Sequence, residues 1–196
     1  METIRLSVKE EFQLKRKNHI MIMWVANAAI MMMFAAFTSA YLVSKSTEGW
    51  MYFELPSAFW KSTVFIILSS ITMFLAQRGA RLDKMSSLKL WIWITVLLGF
   101  AFAFSQYHTL FTVLFNYGIV LAGPESNISE QFLIAIASIH LFHVLAGILS
   151  LLFTAVKASR NKYTKDDYTG IEVCSIYWHF LDVLWVYLFV FLLFIR

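Results

Sequence analysis

Long apolar stretches separated by short polar connections dominate the chain. Five of these stretches contain about 20 or more residues with few charges, the length that an α-helix needs to cross the hydrocarbon core of a bilayer. We place them at residues 20–43, 57–76, 88–107, 131–156 and 171–195. The pattern therefore predicts an all-α integral membrane protein with five transmembrane helices, in a single domain that extends over residues 1–196.

A further apolar segment, residues 110–121, follows the third stretch and is too short to cross a bilayer alone. We expect it either to extend the third helix beyond the bilayer or to lie at the membrane interface. The connections contain no Gly-rich loop of the kind that holds nucleotide phosphates. The chemistry of the chain must therefore be read from the few polar groups inside the predicted helices.

The composition excludes most functions of a water-soluble protein. The chain is 60% hydrophobic and only 14% charged, a balance that is typical of membrane proteins. Its single cysteine, Cys174, allows no internal disulfide, and the sequence has no cysteine cluster for zinc or an iron-sulfur centre.

Lysine and arginine residues are divided unevenly among the polar segments. They cluster before the first stretch and in the second and fourth connections, whereas only Lys45, Lys61 and Arg196 fall on the other side. Because cytoplasmic segments carry the excess of basic residues, we predict a cytoplasmic N-terminus and an external C-terminus. The net charge of +4 then reflects topology and contact with anionic lipids, and we expect no nucleic-acid partner.

Polar and small residues form a stripe along each of the last two predicted helices. On the fifth helix they recur at helical spacing, which places them on one face: Glu172, Ser175, His179 and Asp182. On the fourth helix the corresponding stripe consists of His140, His143, Gly147, Ser150 and Thr154. We expect the two stripes to face each other, which excludes lipid from the ionisable groups and lets the backbones approach at the glycine.

Depth in the bilayer suggests which residues meet. His143 and Asp182 both lie near the middle of their helices, so antiparallel packing predicts that they pair. Glu172 and His179 lie nearer the cytoplasmic side, where water or a lipid head group could reach them. The alternative interpretation, that both stripes are packing seams held by hydrogen bonds, stays open.

Aromatic residues of the fifth helix predict contact with lipid. Trp178 and Trp185 lie at different depths, and we expect acyl chains to pack on their rings while head groups meet the basic helix ends.

Histidines on neighbouring membrane helices also raise the possibility of a haem site. His140 or His143 facing His179 would provide bis-histidine ligation, as in a b-type cytochrome. However, His179 is the only histidine of the fifth helix, and Asp182 lies one turn away. We therefore predict no haem or metal ligand in this chain and keep the b-type cytochrome as an alternative.

Two segments carry a resemblance to a known family. Residues 177–185 read YWHFLDVLW, with Glu172 seven residues before the histidine, and residues 139–144 read IHLFHV and precede Gly147. These segments resemble the last two helices of subunit III of the haem-copper oxidases, the cytochrome c and quinol oxidases. Weaker matches, such as Ser69-Ser70, extend the resemblance over nearly the whole chain.

The resemblance implies a function that composition and spacing do not. It implies a non-catalytic subunit of a terminal respiratory oxidase in the bacterial inner membrane, in the five-helix form that lacks the first two helices of the longer form. The partner would be the catalytic subunit I, which would hold the haem and copper, and this chain would stabilise that subunit and organise phospholipid. A homologous accessory subunit of a nitric oxide reductase is the alternative.

Two positions depart from the family pattern. Ile30 occupies a position where many members have a buried glutamate, and Thr109 one where an acidic residue is common. We therefore carry over no proton-handling role for the first helix. We expect the candidate residues to be structural or lipid-associated, with none catalytic or metal-binding: His140, His143, Glu172, Trp178, His179, Asp182 and Trp185.

Overall fold

Five long helices make up the protein. The computed structural model describes residues 8–45, 58–116, 128–164 and 167–195. The helices are α1 (Val8–Ser44), α2 (Ala58–Arg81), α3 (Met85–Asn116), α4 (Ile128–Ser159) and α5 (Thr169–Ile195). All five are long and apolar enough to cross a membrane, which confirms the prediction of an all-α protein with five candidate spans. The orientation of the termini stays a prediction.

The helices extend past the predicted spans, most of all in α1 and α3. α1 begins at Val8 instead of residue 20, because the polar segment before the apolar stretch is itself rich in good helix formers. α3 continues to Asn116, so the expectation that segment 110–121 lengthens the third helix is confirmed as far as that residue. Residues 117–121 lie outside the described part of the chain.

Tight turns on the predicted cytoplasmic side make neighbouring helices antiparallel. Between α2 and α3, Asp83 adopts a positive φ of 59° and the amide of Lys84 donates to the carbonyl of Gly79 at 2.9 Å. A methyl group added at Gly79 would lie 3.0 Å from the backbone nitrogen of Leu88. The glycine therefore lets the start of α3 approach the end of α2. After α4, Asn161 makes a comparable turn with a φ of 53°.

The connection from α4 to α5 folds back onto the bundle through Tyr163. This side chain is only 4% exposed, and the ammonium of Lys157 lies 5.1 Å from its ring centre. Burial raises the pKa of Tyr163 to about 12, so its hydroxyl stays protonated at physiological pH. A methyl group at Gly170 would lie 2.6 Å from that hydroxyl, so a larger residue there would have to displace the Tyr163 side chain.

The five helices form a four-helix core with one helix outside. α5 packs against α2 and α4, and α3 closes the core by packing against the same two helices. α1 packs only on α4 and α5, and its described residues make no backbone contact with α2 or α3. The outer surface is strongly apolar, as at Phe104, Phe153 and Phe194, which are 71%, 72% and 79% exposed. Such a surface suits lipid or a partner in the membrane.

Candidate functional site

Trp178 lies at the centre of the four-helix core. It is 1% exposed, and its indole N–H donates to Ser69 Oγ on α2 at 2.9 Å. Methyl groups added at Gly99 on α3 or Gly147 on α4 would lie 2.9 Å and 3.1 Å from the ring. The two glycines therefore make the space that the indole fills. Gly147 therefore makes room for side chains of α5, and the predicted approach of the two backbones at this glycine stays a prediction.

Trp185 occupies the next layer of the same core. Its indole N–H donates to Thr63 Oγ1 on α2 at 3.1 Å, and its ring stacks on His140 of α4 with a centroid distance of 5.2 Å. Both tryptophans are buried among protein side chains. The expectation that acyl chains pack on Trp178 and Trp185 is therefore wrong. Their large rings are needed to fill the space between α2, α3 and α4.

His140 is enclosed by aromatic rings. Besides Trp185, the rings of Phe34 and Phe102 contact it edge to face, each with a centroid distance of 6.2 Å. The side chain is fully buried, and both ring nitrogens are without a hydrogen-bond partner in the described structure. Because these three aromatic rings surround it, His140 contributes to packing. No second histidine faces its ring in the described structure.

His143 and Asp182 do not pair. The Nδ1 atom of His143 lies 2.8 Å from the carbonyl oxygen of Ile139 on its own helix, and its ring contacts Phe34 of α1. Asp182 instead lies beside α2, where it borders a groove with Ser70. The predicted pair is therefore wrong, because His143 points toward α1 whereas Asp182 points toward α2.

His179 and Asp182 form a polar cluster with α2. His179 Nδ1 lies 2.7 Å from Ser70 Oγ and 3.9 Å from Asp182 Oδ2. Asp182 is 4% exposed, and its two carboxyl oxygens have no hydrogen bond within the described residues. We refer to Ser70, His179 and Asp182 as the α2–α5 polar cluster.

The polar stripe of α5 therefore faces α2 and α1, and not the stripe of α4. Besides the cluster, Ser175 donates to Gln77 of α2 at 3.5 Å. Among the described residues, α4 and α5 are joined near the two stripes by the Tyr177 hydroxyl, which donates to the carbonyl of His143 at 3.2 Å, and by a weak contact from Ser150 Oγ to Cys174 Sγ at 3.6 Å. The expectation of facing stripes is wrong, because the bulky Trp178 side of α5 packs against Gly147 and turns the polar side away.

Glu172 is held by an ion pair with α1. Arg16 Nε donates to Glu172 Oε2 at 2.8 Å, and Arg16 Nη2 lies 2.7 Å from the same oxygen. The guanidinium also lies over the ring of Tyr168, 5.2 Å from its centre. From the sequence, water or a lipid head group could reach Glu172. The long N-terminal part of α1 brings a cation there instead.

Polar contacts also join α1 to α5 at the other end. Thr38 Oγ1 lies 3.1 Å from the Tyr187 hydroxyl, and Lys45 Nζ donates to the carbonyl of Ile195 at 2.7 Å. Between these ends, α1 buries Asn27 at 2% exposure, with no hydrogen bond for its amide among the described residues. We call the Arg16–Glu172 pair and the Lys45–Ile195 contact the two clasps of α1.

The positions that depart from the family pattern are packed without charge. Ile30 is partly buried against the cluster that includes Phe34 and Leu184. Thr109 is 3% exposed, and its hydroxyl donates to the carbonyl of Ser105 at 2.8 Å. Among the described residues, no group of three or more histidine, cysteine or acidic side chains is close enough to hold a metal ion.

Several partners of the candidate residues could not be identified from the sequence. Thr63, Ser69, Ser70 and Gln77 line the face of α2 that meets α5. Single hydroxyl or amide side chains in an apolar helix do not reveal which neighbour they meet. Their helical spacing on one face was the available clue.

Comparison with known proteins supports the resemblance over most of the chain. The family described as cytochrome c oxidase subunit III matches residues 15–195. A relative named cytochrome c oxidase subunit 3 from Corynebacterium diphtheriae is 30% identical over 85% of this chain and 82% of its own length. One named probable cytochrome c oxidase subunit 3 from Mycobacterium leprae is 28% identical over 89% and 86%. A third, from Synechocystis, is 27% identical over 87% and 72%.

Proposed function

This chain belongs to the cytochrome c oxidase subunit III family, and we propose that it packs against the haem-copper catalytic subunit of a bacterial terminal oxidase and carries no redox centre itself. It is a subunit III of a terminal oxidase and a multi-pass membrane protein. No observation favours the nitric oxide reductase alternative. In our proposal the complex lies in the inner membrane of a bacterium, and the electron donor binds to other subunits.

The packing of the histidines carries the proposal of a non-redox subunit. His140 is enclosed by Trp185, Phe34 and Phe102, while His143 and His179 face α1 and α2. Bis-histidine haem ligation needs two imidazoles that face each other across a gap wide enough for the macrocycle. The described structure offers such a gap at none of these three residues.

A role in assembly and lipid retention follows from the surface of the bundle. Large apolar side chains such as Phe142 and Leu149 are 70% and 68% exposed along the outside of α4. In a bilayer these side chains meet acyl chains or the apolar surface of a partner subunit. We propose that this surface binds the catalytic subunit with phospholipid between the two, and that Glu172 and His179 have structural roles.

Deletion of the subunit tests the proposal. The oxidase purified without this chain should keep its haem spectrum, because the redox centres belong to the partner, while its oxygen uptake should decay faster during turnover. The control is the same strain complemented with the wild-type chain. A Soret band carried by this chain alone, and lost in His140→Leu, would instead establish a haem-binding subunit.

A further inference from the structure

A seam between α3 and α4 lies open on the outside of the bundle at its predicted cytoplasmic end. The indole N–H of Trp93 donates to Ser159 Oγ at 3.1 Å, which joins the two helices there. Deeper along the seam, a methyl group at Gly99 would lie 3.5 Å from the Cγ1 atom of Ile148. Because these two contacts fix how α3 and α4 lie side by side, residues next to them share a level in the membrane.

Basic side chains border the seam at this end. Lys89 lies one turn before Trp93 on α3, and Arg160 directly follows Ser159 at the end of α4. Neither forms an ion pair with a carboxylate among the described residues. α3 contains no aspartate or glutamate, and the acidic residue of α4, Glu130, lies at the opposite end of its helix. The seam therefore carries positive charge that no carboxylate of these two helices neutralises.

Apolar side chains continue the seam toward the middle of the membrane. The ring of Trp93 is exposed, and so is Phe100, two turns further along the same edge of α3. On α4, Val156 and Leu145 are exposed on the edge that carries Ser159. Leu145 lies about 21 Å from Ser159 along the helix axis, which exceeds the roughly 15 Å of one leaflet. The edge is therefore long enough for a whole acyl chain.

Charge and depth together select the occupant of the seam. Lys89 lies at the start of the predicted third span and Arg160 just past the predicted fourth span, so their flexible stems can bring both cations to the head groups. The indole of Trp93 lies one turn deeper than Lys89, at the level where aromatic rings are common. A phospholipid fits both parts, and the positive charge favours a head group with net negative charge. An apolar partner helix would cover the edge but leave the cations without a counter-charge.

We propose that the seam between α3 and α4 binds one anionic phospholipid of the cytoplasmic leaflet. Its phosphate lies between Lys89 and Arg160. One acyl chain packs along Trp93, Phe100 and Leu145. This proposal rests on the proposed function, in which phospholipid belongs to the surface of α4, and it adds the class of lipid and the residues that select it. Binding of the lipid requires no contact with the catalytic subunit.

Photolabelling of the native complex tests the proposal. The probe is phosphatidylglycerol with a diazirine in one acyl chain, added to the purified oxidase in nanodiscs of phosphatidylcholine, and labelled peptides are mapped by mass spectrometry. We expect label on residues 93–104 and 145–156. Unlabelled phosphatidylglycerol should displace the probe, whereas the same excess of phosphatidylcholine should not. Equal displacement by the two lipids would overturn the proposal, and so would displacement by inorganic phosphate alone, because the site would then bind a free anion.

Variants of the two cations make the test specific. Lys89→Gln and Arg160→Gln should each lower labelling by phosphatidylglycerol, relative to a matching phosphatidylcholine probe, roughly fivefold, the value of one basic residue near a membrane surface. Lys89→Arg keeps the charge and should keep the selectivity. The matched control Arg78→Gln removes a charge on the same predicted side, near the end of α2, and should change nothing. An equal loss in Arg78→Gln would show that only the overall charge of the surface matters and would overturn the site.

Retention of the subunit separates this proposal from the proposed function. Label is scored per subunit, and the amount of this chain that stays with the haem-containing subunit is measured in the same samples. A retained subunit that does not discriminate between the two lipids contradicts only the lipid site. A wild-type subunit that does not copurify with the haem-containing subunit contradicts the proposed function. Label that is found only on the detached subunit would show that a partner helix lies on the seam, and it would overturn the proposal.

Discussion

At the scale of single residues, the polar groups of α5 meet two different helices, α1 and α2. His179 contacts Ser70 on α2, Glu172 contacts Arg16 on α1, and Asp182 has no hydrogen bond within the described structure. A polar group in hydrocarbon is costly when unpaired. These contacts therefore specify which helices may lie beside α5, in addition to the shape of the two buried indoles.

Coupling between substitutions should follow these contacts. Ser70→Ala or His179→Leu alone leaves one partner of a half-buried hydrogen bond unpaired, which should cost about 1 kcal/mol, while the double change removes both groups and should cost less than the sum. The control pair, His143→Leu with Asp182→Leu, should be additive because those side chains do not meet. The fraction of subunit retained in purified complexes measures each effect. Additive losses for Ser70 and His179 would contradict the observed contact.

At the scale of elements, the helices themselves were predictable and their faces were not. Apolar length alone located all five spans, because a bilayer requires about 20 such residues whatever surrounds them. It did not show that Trp178 packs between Gly99 and Gly147. Which side of α5 faces α4 depends on how large side chains fill space between helices. A single sequence gives the sizes of the side chains but not the spaces between helices that they fill.

The ends of α1 escaped prediction for a related reason. The segment before residue 20 is polar and gave no membrane pattern, yet it continues the helix and brings Arg16 to Glu172. A contact between residues at opposite ends of the chain produces no local sequence pattern from which it could be predicted. The Arg16–Glu172 clasp can therefore be identified only from the packing of α1 against α5.

Charge exchange should test the first clasp. Arg16→Glu places two carboxylates together and should lower the melting temperature of the complex, and adding Glu172→Arg should restore most of the loss. The expected size is about 1 kcal/mol, because the Arg16 side chain is partly exposed and water screens the pair. Lys17→Glu, an exposed neighbour, serves as the control. No recovery in the exchanged pair would show that the ion pair does not hold α1.

At the scale of the whole molecule, the distribution of basic residues predicts how the bundle lies in the membrane. The turns after α2 and α4 carry lysine and arginine, and we therefore expect both turns on the cytoplasmic side. That orientation also puts the Arg16–Glu172 clasp on the cytoplasmic side and the Lys45–Ile195 contact on the outer side.

Reporter fusions test this orientation. Fusions after Lys84 and after Lys162 should be active in the cytoplasm, because both follow segments rich in basic residues. Fusions at Ser126 and after Arg196 should be active outside. If the fusion after Lys162 were active outside, the model of four crossings that start from a cytoplasmic N-terminus would be wrong.

The attachment of α1 only to α4 and α5 has a consequence for biosynthesis. At roughly 5 to 20 residues per second of translation, α1 is in the membrane several seconds before α4 begins to emerge. During that interval Asn27 is without the helices that will bury it, and a chain truncated after α3 never acquires them. α1 therefore docks late, after α4 and α5 have been synthesised.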